Sequence, residues 1–170
     1  ANHLVSFGTM GSGQPGSSVY KAIHALPTIN VLEYHDYNTE TVAFPASLSR
    51  RFNDSIALNK PLIVGESGIS LSKYTAIQRA TYFDNKMNAY FSHGGTSYLL
   101  WSYRDANLKD TGYSFTFTDP LASVVKKYAT SPIPLVLGTP TVQSKIKISR
   151  EVCKMHLSCY FKVISAIIHH

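Results

Sequence analysis

Lys60-Pro61-Leu62-Ile63-Val64-Gly65-Glu66-Ser67-Gly68 decides how the rest of the chain is read. A short apolar run ends in a carboxylate flanked by glycines. A buried parallel strand delivers a charged group to the end of a sheet in this way. Strict alternation places Leu62, Val64 and Glu66 on one face. Gly65 and Gly68 leave no side chain beside the carboxylate, so a bulky ligand can approach it. A Glu in this position can equally cap the following helix or join an ion pair.

Working outward, four strand-then-helix units can be read. His3 to Gly8 is expected to be a strand. Ser17 to Leu26 follows as a helix, with Val19, Ala22, Ile23 and Leu26 at helical spacing and Pro27 ending it. Ile29 to Tyr34 is the second strand, running into His35-Asp36-Tyr37. Phe44 to Asn59 is the second helix, with Leu48, Phe52 and Ile56 in line. Pro61 to Glu66 is the third strand. Lys73 to Ser92 is the third helix, with Ile77, Ala80, Phe83, Met87, Tyr90 and Phe91 as its apolar stripe. His93-Gly94-Gly95 stops it. Thr96 to Trp101 is the fourth strand, and Asp119 to Tyr128 the last helix of the series. Strands alternating with helices indicate an α/β fold with a parallel sheet.

The domain is expected to span residues 1–130. A linker at 131–145, rich in Pro and Gly, leads to a helical tail at 146–170, in which Val152, Met155, Cys159, Val163 and Ile167 share a face. Lys154, His156 and Lys162 interrupt that tail, which argues against a membrane span. The tail would serve as a cover for the sheet or a subunit contact. Cys153 and Cys159 lack zinc-site spacing, so no metal is expected, and no cofactor signature is present. The net charge of +6 is scattered rather than striped, which argues against a nucleic-acid partner. Eleven Tyr and eight Phe suit a dense core and also suit sugar binding. The chain opens on a strand-like segment with no basic leader and no cleavage site, though a removed leader would leave the same start.

Sites in parallel α/β folds form at the carboxyl ends of strands. Glu66, the His35/Tyr37 pair and Trp101 all fall there. Glu33 shares a strand face with His35 and Tyr37, and so deep a carboxylate requires a partner, expected to be a Lys or Arg. Asp36 is expected to face the helix layer or a loop. Tyr103 and Asp105 follow the Trp strand.

These residues resemble the C-terminal half of glycoside hydrolase family 5, the cellulase and β-mannanase family, from about Asn2 to Tyr128. His35-Asp36-Tyr37 matches the His-x-Tyr of the family's sixth strand. Gly65-Glu66-Ser67-Gly68 matches the Gly-Glu-x-Gly of the seventh, and Trp101 the Trp of the eighth. The resemblance implies half of a (β/α)8 barrel, four parallel βα units, that hydrolyses a β-1,4-glycan with retention. Glu66 would be the nucleophile. Tyr37 would hydrogen-bond to it and steady its charge. His35 would contact sugar hydroxyls, Trp101 would provide a flat platform for a pyranose, and Tyr103 and Asp105 would line the cleft. It also implies a secreted protein acting on a β-linked polysaccharide. Cellulose-type glucan is the first expectation, mannan the second.

The chain departs from the family in one decisive respect. Retaining glycosidases need two carboxyl groups about 5–5.5 Å apart. The family's acid/base lies in an Asn-Glu pair on an earlier strand, and no Asn-Glu dipeptide occurs here. The family's Arg near the nucleophile is missing as well. A non-catalytic carbohydrate-binding half-barrel, with Trp101, Tyr103 and Tyr37 stacking on sugar, is therefore an alternative. A serine hydrolase is a poor fit, because Gly65-Glu66-Ser67-Gly68 lacks the spacing of the Gly-x-Ser-x-Gly elbow. Four strands cannot close a barrel, so the inner face, expected to include Leu62, Val64 and Leu99, needs a cover. A two-fold homodimer, a separate N-terminal half or the tail would each provide one, and the homodimer follows most directly from the symmetry of the fold.

Overall fold

The computed structural model describes residues 3–8, 17–37, 40–104 and 112–130. The chain divides into two compact units, Ala1–Leu135 and Val136–His170, and the second lies outside the described residues. So do the expected linker and tail, both cysteines and Asp105.

Helices and strands alternate as the sequence implies: α1 (Ser17–His24), β1 (Leu32–Asp36), α2 (Ala46–Leu58), β2 (Leu62–Ser67), α3 (Ala76–Ser92), β3 (Ser97–Tyr98) and α4 (Pro120–Thr130). The three strands form one parallel sheet in the order β1-β2-β3. The expected first strand is reduced to a single parallel bridge between Ser6 and Val31. Around it, the N–H groups of Asn30 and Val31 donate to the Val5 carbonyl at 2.8 and 3.3 Å. The fourth strand shrinks to Ser97–Tyr98. The second runs further than expected, to Asp36, which brings His35 inside the ladder. Helix α3 starts later than Lys73 because Thr75 and Gln78 form a reciprocal capping box, with bonds of 3.2 and 2.9 Å.

The face assignment on β2 needs correction. Leu62 and Val64 do not share a face with Glu66, and they do not line the open inner side. Both are buried beneath the helices in a cluster with Tyr20, Leu32, Tyr34, Leu48, Phe52 and Tyr90. Burying each contributes about 1.5–3 kcal/mol. Pairing along the ladder is Tyr34 with Val64, then His35 with Glu66, so Gly65 is an extra residue on β2. This bulge breaks the alternation. Gly65 and Glu66 are both half-buried on the side away from the helices, and Ser67 returns to the buried side.

Helix α1 also turns a different side inward. Val19 and Leu26 are about half exposed, at 49% and 51%, whereas Tyr20 and His24 are buried. The reason is polar. The Tyr20 hydroxyl donates to the Glu33 carbonyl at 2.7 Å, and the Arg51 guanidinium lies 3.8 Å above its ring. Ile56 and Ile77, expected within stripes, are exposed instead. A second cluster, Ile69, Ala80, Phe83, Phe115 and Leu121, joins α3 to α4. Two buried cations of α3 hold it to its surroundings, one at the end of β1 and one at the start of α4. Lys86 Nζ meets Asp36 at 2.7 Å, so Asp36 faces the helices as expected. Arg79, fully buried, donates to Asp119 and to the carbonyls of Tyr113 and Ser114.

Candidate functional site

The carboxyl ends of β1 and β2 carry the site. The bulge at Gly65 swings Glu66 out from under the helices, where it stays half-buried with its side chain 34% exposed. Tyr37, one residue past β1, donates its hydroxyl to Glu66 Oε2 at 2.9 Å. His35 Nδ1 lies 3.8 Å from the same oxygen. The structure thus brings together the three residues that the sequence singled out on these strands. Burial raises the Tyr37 phenol well above the ordinary tyrosine range, and its bond to the Glu66 carboxylate raises it further. Tyr37 is therefore a protonated donor at all physiological pH values.

Trp101 arrives at the same sheet end through its backbone. Its N–H donates to the Ser67 carbonyl at 2.8 Å, one residue beyond Glu66. The indole is 49% exposed, and the Trp101–Ser102 peptide is cis. Tyr103, expected to bind sugar, has aromatic neighbours on the loop after the Trp strand. Its ring packs edge-on against Phe115 and Phe117, with centroids 5.9 and 5.1 Å away, and leans on the second apolar cluster. Asp105 lies outside the described residues.

Two participants were not assigned correctly from sequence. Glu33 was expected to need a Lys or Arg. It is paired instead with His35 Nε2 at 2.8 Å and accepts the Ser6 hydroxyl at 3.1 Å. Tyr113 was not singled out at all. Its ring stands edge-on to Tyr37, at 5.8 Å and 89°. A Cβ on Gly68 would fall 2.6 Å from Tyr37 and 2.7 Å from Tyr113, so only a bare glycine lets both rings close over this loop. No pattern around Gly112-Tyr113 marks it, because Arg79 on a distant helix holds that segment in place. Among the described residues, no group of three or more His, Cys, Asp and Glu is placed to hold a metal ion.

No protein-family model matches the sequence, and no curated protein matches it. Solved structures do. The endo-β-1,4-mannanase of Thermotoga petrophila superposes with a TM-score of 0.59 at 18% identity over 75% of this chain and 35% of its own. The endo-1,4-β-mannanase of Rhizomucor miehei gives 0.56 at 18%, over 76% and 42%. The glycoside hydrolase family 5 mannosidase of the same fungus gives 0.55 at 18%, over 74% and 42%. The chain has the fold of part of these structures. It spans less than half the length of each of these three. The parallel sheet accounts for the strand-end placement of Glu66, His35 and Trp101.

Proposed function

We propose that the chain is the C-terminal half of a retaining β-1,4-glycan hydrolase in which Glu66 is the nucleophile. The observation that carries this reading is the hydrogen bond from Tyr37 to Glu66 Oε2 at 2.9 Å, made where two parallel strands end. A half-buried carboxylate with one firm donor and one free oxygen edge suits attack at an anomeric carbon. One Glu66 oxygen bonds to that carbon as the glycosidic C–O bond breaks, and the leaving oxygen takes a proton from a second carboxyl group. Water, deprotonated by that same group, then cleaves the glycosyl ester and restores the original configuration. The half-exposed Trp101 indole offers an apolar face for a pyranose ring.

The family's Asn-Glu acid/base has no counterpart in this sequence, so the second carboxyl group must come from the polypeptide that completes the barrel. We propose a second copy of the chain, whose own Glu66 would be that group, with a separate N-terminal half as the rival. Both β-glucan and β-mannan are candidate substrates. The named neighbours are mannan enzymes, so manno-oligosaccharides belong beside cello-oligosaccharides in any assay. A secreted location is proposed on the same grounds, and fractionation of producing cells checks it. Glu66→Gln is expected to abolish reducing-sugar release by the assembled protein while leaving oligosaccharide binding within about threefold. Unchanged turnover in Glu66→Gln removes this carboxylate from the mechanism. The absence of any Asn-Glu pair favours a second reading, a sugar-binding half-barrel without turnover. Calorimetric binding with no hydrolysis at any protein concentration would establish it.

A further inference from the structure

Glu33 is a buried carboxylate that the proposed chemistry does not use. Its Oε1 faces His35 Nε2 at 2.8 Å, and its Oε2 accepts the Ser6 hydroxyl at 3.1 Å. The two side chains are only 13% and 11% exposed. The carboxylate lies directly over the backbone of Gly65, where a Cβ would come 1.9 Å from Oε1. The glycine of the bulge therefore does more than admit a ligand. It makes room for a second carboxylate behind the first.

The geometry constrains the imidazole. A carboxylate accepts hydrogen bonds and donates none, so His35 Nε2 carries the hydrogen. A neutral ring has only one such hydrogen, which leaves Nδ1 as a bare acceptor. That edge stands 3.8 Å from Glu66 Oε2, which also accepts, from Tyr37. With the ring neutral neither atom has a hydrogen to offer the other, and 3.8 Å is too long for a direct hydrogen bond. The opening between them therefore selects an O–H donor. The groups facing His35 are Glu33 from its own strand and Glu66 from β2, with Tyr37 behind Glu66 and Ser6 behind Glu33.

We infer that Glu33 is a positioning residue. It fixes His35 as the Nε2–H tautomer, so that Nδ1 is offered beside Glu66 to a hydroxyl of the ligand. Without Glu33 the ring is free to flip or to exchange tautomers, and an N–H then replaces the acceptor. The inference rests on the glycan reading only for the identity of that hydroxyl.

The test uses the full chain, with long-range ¹⁵N–¹H correlation of the His35 ring at alkaline pH and calorimetry with cello- and manno-oligosaccharides. Wild-type protein is expected to show Nε2 protonated and Nδ1 bare. Glu33→Ala should give a mixture of tautomers. Gly65→Ala should do the same by a different route, because its methyl group displaces the carboxylate without removing it. Glu33→Gln, whose amide oxygen still accepts, should keep the wild-type pattern. Oligosaccharide affinity should fall about tenfold in both alanine variants and stay within about threefold in Glu33→Gln. Both alanine variants retaining the wild-type tautomer overturns the inference, whatever the affinity does. Tautomers that respond as stated in a protein that binds no oligosaccharide uphold the role of Glu33 and refute the glycan reading.

Discussion

Replacing Asp119 should unfold this domain more readily than replacing any residue of the site, because of what it leaves behind. Arg79 is 0% exposed and donates to Asp119 and to two carbonyls, and its Nε is buried with no partner. Asp119→Asn keeps the side-chain oxygen that accepts the Leu121 N–H at 2.9 Å but removes the countercharge. Stranding a buried guanidinium costs about 3–5 kcal/mol. Against a total stability of about 5–15 kcal/mol, that is a large fraction. With an m-value of about 2 kcal/mol per molar urea, the unfolding midpoint followed by circular dichroism should fall by roughly 2 M. Asp119→Ala also loses the cap of α4 and should cost about 1 kcal/mol more. In the double variant Arg79→Met/Asp119→Asn no charge is left buried, so stability should return to within about 1.5 kcal/mol of wild type. A single-variant shift below about 0.5 M, or a double variant no better than Asp119→Asn, would refute the claim that the charge and not the packing is at stake.

Three further outcomes follow from the structure. Tyr37 should show no phenolate absorbance as pH is raised through the ordinary tyrosine range, and Tyr37→Phe should cut turnover about tenfold or more by removing a charge-assisted bond to Glu66. A phenolate signal in that range larger by one tyrosine in wild type than in Tyr37→Phe would contradict this. Gly68→Ala should force the Tyr37 and Tyr113 rings apart, costing about 1–3 kcal/mol and weakening oligosaccharide binding. Unaltered affinity would show that the rings need not stay closed. His24 is held below its ordinary value of 6.5 by burial and by the nearby Arg51. The unfolded chain therefore binds the proton more readily than the folded one. The stability from His24 is complete above 6.5 and is lost as pH falls from there toward the depressed folded value. Urea midpoints between about pH 7 and 5 should fall in wild type and stay flatter in His24→Gln.

The order of elements could be read because each carries its own local signal. The Leu48/Phe52 and Phe83/Met87/Tyr90 spacings mark buried helix faces, although the Thr75/Gln78 cap that starts α3 was passed over. The three strand-end residues of β1 and β2 could be read for the same reason, since their types and spacing are local. Partners were harder, because they are settled across the fold. Asp36 finds Lys86 and Arg79 finds Asp119 over 50 and 40 residues of sequence. Tyr113 reaches Tyr37 only because Arg79 grips its backbone. On α1 the apolar spacing pointed the wrong way, because a tyrosine whose hydroxyl can reach a strand carbonyl fits the interior better than Val19 does.

The most consequential misreading concerned a single residue. Had β2 kept its period to the end, Glu66 would lie on the side of Leu62 and Val64, in an apolar layer. An ionised carboxylate buried there without a partner costs several kcal/mol. Sequence alternation alone therefore described a strand that could not be stable, and the extra residue at Gly65 resolves the conflict. It puts Glu66 on the side of Glu33 and His35 and returns Ser67 to the helix side, where its hydroxyl donates to the Asp36 carbonyl at 3.1 Å. The residue that makes this possible has to lack a side chain, since the Glu33 carboxylate occupies the space where a Cβ would stand. Bulge, glycine and second carboxylate are thus one device. A substitution at any of the three should be read first as a change in where Glu66 and His35 face, and only then as a change in chemistry.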